Sequence, residues 1–243
     1  MSAAGIREGI VYNIPHIPTT VAMAWFTWAV IAVVSIVIAR KPKLVPGSIQ
    51  LVLEMLFDYV CGLADEIVGP KAKSYYPLFL GLFFFILLGN LIGLIPCLVS
   101  PTSDMNLTFG LAIMVFIYFN VMGIKEHGMG YFKQFLGPSM PPALFPIKLL
   151  LIVIEFISFF LRPFSLGLRL FCNIFSKELF LTILATLIYS FFISHQYLLG
   201  LAPLFLRPFI LLLGLIVAFI QALVFMMLSM SYIAGAIQAQ EGH

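Results

Sequence analysis

Apolar residues run from Val21 to Ala39 with no charge among them. That is long enough for one crossing of a hydrocarbon layer of about 30 Å. The pattern then changes. From Ser48 to Val68, Gln50, Glu54, Asp58 and Asp65 recur at helical spacing, with Cys61 or Gly62 between them. Ile49, Val52, Leu53, Leu56, Phe57, Val60 and Leu63 cover the rest of the surface. This spacing predicts an amphipathic helix over 48–68, lying along the membrane interface with its apolar side down. Ser48 is placed to cap its start and Gly69-Pro70 to end it. Its polar side is acidic, which disfavours anionic lipid and points to a protein partner.

Two further apolar runs, 77–98 and 105–123, read as crossings in opposite directions. Beyond them lie two much longer apolar regions, 146–194 and 202–239. As one helix the first would reach about 70 Å, more than twice the hydrocarbon thickness. It must tilt steeply, bend or break, with Pro163 the obvious bend point. The second region begins near Pro203 and Pro208. The chain is therefore expected to be an all-α polytopic membrane protein over 1–243. It has five crossings plus one interfacial helix, the last two helices long and strongly tilted, no internal repeat and no soluble domain.

Charge orients this frame. Arg40, Lys41 and Lys43 follow the first run, Lys71 and Lys73 follow the amphipathic segment, and Lys125 and Lys133 follow the third crossing. The positive-inside rule places these on one side, so the N-terminus is outside and the C-terminus cytoplasmic. Tyr75 and Tyr76 suit the interfacial aromatic belt. Gly128 to Pro142 is a Gly/Pro-rich connector. Glu126-His127 reads as a solvated loop pair and Ser194-His195-Gln196 as an outer turn.

Composition narrows the function. The chain is 62% hydrophobic and 9% charged, against about 25% charged in soluble domains. The basic residues are scattered between apolar spans, which argues against nucleic acid. Cys61, Cys97 and Cys172 have no metal-ligand spacing and read as small buried apolar residues. No phosphate-binding loop, HExxH, GxSxG or histidine pair for haem is present. Neither a metal, a cofactor nor a nucleotide or catalytic site is expected in this chain.

Chemistry concentrates in 148–178. Lys148, Glu155, Arg162 and Arg169 are spaced by sevens, and Ser158, Ser165, Asn173 and Ser176 fill the same face by threes and fours. An arginine within hydrocarbon costs roughly 2.5–3.5 kcal/mol on insertion scales. Glu178 lies nine residues beyond Arg169, on the opposite side of a regular helix and about 13 Å along it. The two therefore occupy separate polar environments. Glu178 is a group that can take up and release a proton, whereas Arg169 keeps its charge. Lys177 reads as a snorkelling residue at the outer interface. Gln221, seven residues after Gly214 and fourteen after Arg207, faces either the polar stripe or a plain interhelical hydrogen bond. Asn90, between Gly89 and Gly93, is either interhelical glue or the lining of an aqueous path.

These residues resemble one family. Pro163-Phe164-Ser165-Leu166-Gly167-Leu168-Arg169-Leu170-Phe171 with Asn173 and Glu178 is similar to the penultimate helix of subunit a of rotary F-type ATP synthases. Gln221-Ala222-Leu223-Val224-Phe225 with Tyr232 resembles its last helix, and Asn90 to Pro96 with Ser100 to Asp104 its outward helix and loop. The resemblance covers most of the chain from Pro46 onward. It implies a stator subunit beside a ring of c subunits, joined to the peripheral-stalk b subunits and the rest of the F0F1 complex in a bacterial plasma (inner) membrane. Two offset half-channels would serve the ring carboxylates. Arg169 would be the ring-facing charge between them, Glu178 and Asn173 would belong to the outer half-channel, Glu155 to the inner, and Gln221 would support Arg169. Ser165 and Asn90 would add polar lining.

The chain departs from the family at three positions. Many members carry a His or an acidic residue where this chain has Gly214, and Gly where it has Cys172 and Lys177. The alternative reading is an independent secondary transporter with Arg169 binding an anion. That class often shows internal repeats, and none is visible here.

Overall fold

The structure is a computed structural model. It describes residues 19–40, 47–95, 98–128, 130–131, 145–195 and 197–238. Lys41, Lys43, Cys97, Lys133, Gln196 and most of the 128–142 connector lie outside them. Six α-helices make up the described residues, with no strand among them: α1 Thr19–Arg40, α2 Ser48–Val68, α3 Tyr76–Ile92, α4 Met105–His127, α5 Phe145–Ile193 and α6 Tyr197–Gln238. Short 3₁₀ turns at Ala72–Ser74 and Pro101–Ser103 precede α3 and α4.

Four helices are long and apolar enough to cross a membrane: α1, α4, α5 and α6. The apolar α3 is shorter. It stops at Ile92, not at Leu98, and the chain turns through Gly93 and Leu94. At 17 residues it spans about 25 Å. The stop follows from what packs on it, because the turn after it folds back against Gly89 and Gly93. A Cβ on Gly89 would lie 3.2 Å from Pro101 Cγ, and one on Gly93 2.6 Å from Ser100 Cβ.

The amphipathic α2 has the expected bounds, but its cap differs. Gly47 holds the N-cap position in an extended conformation and no side chain caps the helix. Ser48 is already its first helical residue, so its hydroxyl cannot act from the N-cap position. Gly69, at φ 79°, ends the helix, and Gly128, at φ 57°, ends α4; both conformations are strained for a residue with a Cβ. The buried side of α2 is Val60, Ala64 and Val68, with Leu56, Leu63 and Ile67 partly covered. Val52 and Phe57 stay exposed together with Glu54, Asp58 and Asp65.

Tyr75 does not join an aromatic belt. It is buried, edge-on to Tyr118, because the Ala72–Ser74 turn carries it under α4's ring. Tyr76 donates its hydroxyl to Asp65, 2.6 Å away. Nor are Glu126 and His127 loop residues. α4 continues through both; Glu126 pairs with Lys71, and His127 Nε2 lies 2.6 Å from the Ile237 carbonyl. A backbone oxygen only accepts, so His127 donates.

The core lies where α3, α4, α5 and α6 meet. Phe79, Phe83 and Ile86 of α3, Phe119 of α4, Leu170 of α5, and Phe225, Met226 and Met230 of α6 are fully or almost fully covered. Rings knit the layers: Trp28 stacks on Phe85 with centroids 5.1 Å apart, and Phe116 meets Phe159 at 4.8 Å. α5 runs unbroken through Pro163. One proline removes one backbone hydrogen bond, which this 49-residue helix absorbs without ending. α6 is unevenly covered. From Leu204 to Ile220 most residues are exposed, whereas from Gln221 to Ile237 most are buried.

Candidate polar site

α5 and α6 run antiparallel, joined by a turn in which His195 has φ 53°. Two contacts fix their register. Asn173 Nδ2 donates to Gln221 Oε1 at 2.6 Å, and the Arg162 guanidinium lies over the Tyr232 ring, 5.7 Å from its centroid. Arg162 also faces Glu155 at 3.6 Å, as residues seven apart on one face should. The polar stripe read from the sequence is thus a real face of α5.

That face divides. Leu166, Leu170 and Ile174 are buried, while Ser165, Arg169, Cys172, Asn173 and Ser176 are exposed. Cys172 is therefore not a buried apolar residue: it falls on the outward side of the helix. Cys61 is half-buried, and burial, with Asp58 and Asp65 nearby, pushes its thiol up. Among the described residues no hydrogen bond, ion pair or ring contact engages Arg169. Glu178 is half-buried, and its backbone carbonyl accepts from Thr182 at 2.8 Å.

Lys177 does not snorkel outward. Its stem crosses Gly214 of α6, and its ammonium donates to the Asn90 carbonyl at 3.4 Å. Asn90, Asn173, Lys177, Gly214 and Gln221 line one small cavity between α3, α5 and α6. The structure therefore gathers three of the expected residues around it, Asn90, Asn173 and Gln221, together with Lys177, whose expected place was elsewhere. Gln221 is 3% exposed and its Nε2 has no hydrogen-bond partner among the described residues.

Asn90 belongs to a second cluster as well. Its Oδ1 accepts from Thr102 Oγ1 at 2.8 Å; Thr102 and Ser100 hydroxyls are 2.7 Å apart, and Ser100 donates to the Gly89 carbonyl at 2.9 Å. Asp104 caps α4 through the Asn106 N–H and accepts from Thr20 of α1, both at 2.9 Å. Ser100 and Thr102 escaped the residue-by-residue reading. The signal was there: Gly89 and Gly93 flank Asn90 on one side of α3, leaving room for a returning chain.

Apolar helices of spanning length, packed around a small polar cavity and carrying an outward arginine, define a multi-pass membrane protein with a polar cavity between its helices. Residues 21–234 match the model of the family described as ATP synthase A chain. The chain is 41% identical over 226 residues to ATP synthase subunit a of Geotalea daltonii, covering 92% of this chain and 88% of that protein. It is 38% identical over 221 residues to ATP synthase subunit a of a Sulfurihydrogenibium species, covering 91% and 98%. A Syntrophotalea carbinolica relative, ATP synthase subunit a 2, is 38% identical over 220 residues, covering 90% and 85%. The chain belongs to the ATP synthase subunit a family, transmembrane components of the F0 sector in ATP synthesis and proton transport.

Proposed function

We propose that the chain is the proton-translocating stator subunit of a rotary F-type ATP synthase, with two offset half-channels beside the c-ring. Arg169 is the ring-facing charge and the barrier between them. Glu178 and Asn173 belong to the outer half-channel, Glu155 to the inner, Gln221 supports Arg169 from α6, and Ser165 and Asn90 add polar lining. Five segments cross a bacterial plasma membrane, α3 as the short one, with α5 and α6 steeply tilted, the N-terminus outside and the C-terminus cytoplasmic. The b subunits and the remaining F0F1 complex complete the assembly. Membership of the family displaces the reading as a self-sufficient transporter.

The observation that carries this is Arg169 itself. It stands on the uncovered face of α5, and no group of the described chain meets it. An arginine at membrane depth needs a counter-charge, and none of the described residues supplies it. A guanidinium keeps its proton, so it acts as a fixed charge and not as a carrier. The test is Arg169→Ala in the whole complex. Proton-driven ATP synthesis is expected to fall to background while the complex still assembles. ATP-driven proton pumping at the wild-type rate would overturn the reading. Glu178→Gln is expected to lower proton flux less completely, and unchanged flux would remove Glu178 from the path.

A further inference from the structure

We propose that Lys177 is a positioning residue that holds one relay water in the cavity between α3, α5 and α6, and that Gly93 and Gly214 form the seat on which it lies. This rests on the proton-path reading above. A Cβ on Gly214 would stand 3.3 Å from Lys177 Cδ and 2.9 Å from Leu94 Cδ2. One on Gly93 would stand 3.3 Å from Lys177 Nζ. Neither backbone requires glycine: Gly93 has φ −67° and ψ −7°, and Gly214 lies inside α6. What both positions supply is room, Gly214 for Leu94 and the lysine's stem, Gly93 for Ser100 and the ammonium. A lysine that snorkels needs no such seat.

The cavity offers about 10 Å³ to the centre of a water-sized sphere, enough for a single water. Two of its polar groups can only donate. The Lys177 ammonium can only donate. Gln221 Oε1 is taken by Asn173, which leaves the buried Nε2, also a donor, in need of an acceptor. A group placed between them must accept hydrogen bonds. Water does so and can still donate onward; a metal cation cannot, and the ammonium repels it. In passage the water gives one proton inward and takes one from the outer side, so its composition and charge are restored. Lys177 takes no part in the transfer. Its charge stabilises the interval in which the water lacks a proton.

The test uses the assembled ATP synthase in sealed vesicles, with proton flux normalised to the amount of complex. Lys177→Met is expected to lower flux about ten-fold, the scale of one lost hydrogen bond to a charged group, and to raise the solvent deuterium isotope effect. Gly214→Ala is expected to do likewise although every polar group remains. Combined with Lys177→Met it adds almost nothing, because both changes act through one side chain. Wild-type flux in Lys177→Met, an unchanged isotope effect, or fully additive losses would overturn the proposal. So would a change of wild-type flux when chloride is replaced by gluconate, since the accepted group would then be an anion. Should Lys177→Met fail to assemble, flux and isotope effect in Gly214→Ala decide. A normal Arg169→Ala complex would instead indict the underlying proton-path reading.

Discussion

Two polar clusters share this apolar bundle, and they are built on opposite terms. The knot formed by Gly89, Asn90, Ser100 and Thr102 is closed, each hydroxyl and the Asn90 oxygen having a partner within 2.9 Å. The cluster around Gln221 and Arg169 is open. Among the described residues Gln221 Nε2 is buried without a hydrogen-bond partner, and Arg169 has no hydrogen bond or ion pair. A buried polar group left unmade costs about 1–3 kcal/mol. A closed cluster contributes shape, since it returns that cost within the chain. An open one retains the cost until a water, an ion or another subunit arrives. The difference separates a cluster that closes on itself from one that a group outside the described residues would complete.

The comparison can be broken at several points. The largest effect is expected at Arg169. Its replacement by Ala should reduce proton-driven synthesis by about 100-fold or more, the scale for removing a fixed charge aimed at a reacting group, at normal complex abundance on native gels. The closed knot should behave in reverse. Thr102→Val leaves Asn90 Oδ1 without its donor and should cost about 1–3 kcal/mol of stability, read as reduced abundance and melting temperature. Activity per assembled complex should hold; a loss there with stability intact would move the knot into the path. Gln221→Leu should change stability by less than about 1 kcal/mol, since it removes an orphaned donor along with one hydrogen bond, yet it should lower flux. The smallest effect belongs to the rim. Thr20→Val unties α1 from Asp104, which keeps the Asn106 N–H, and should cost about 0.5–1.5 kcal/mol by thermal melting with flux unaltered.

Local periodicity made much of the molecule legible. The bounds of α2, the start of α4 and the polar face of α5 follow from spacing alone, because a helix repeats its faces in sequence; for Gln221 spacing left two readings open. What spacing lacks is knowledge of neighbours. Tyr75 has the composition of a belt residue, but Tyr118 covers it. Lys177 has the chemistry of a snorkelling side chain, and only the juxtaposition of Gly93 on α3 with Gly214 on α6 redirects it inward. The early end of α3 was hidden for the same reason: Leu94 and Ile95 are apolar enough to continue a helix, and the chain turns because Ser100 and Pro101 pack against the two glycines. Ser48 shows the reverse error, a good capping side chain one residue too late.

The uneven cover of α6 has a mechanical meaning. From Gln221 to Ile237 the helix is clamped by Ala222, Phe225, Met226, Met230 and Ile233, all fully enclosed, and its end is tied to His127. From Leu204 to Ile220 it is largely bare, with Pro208 weakening the backbone there. Such a helix is a cantilever. A sideways load on the bare half becomes a bending moment that peaks where the clamp begins. That stretch is Gly214 to Gln221, which lines the cavity, so elastic strain in α6 would be felt first at the cavity wall.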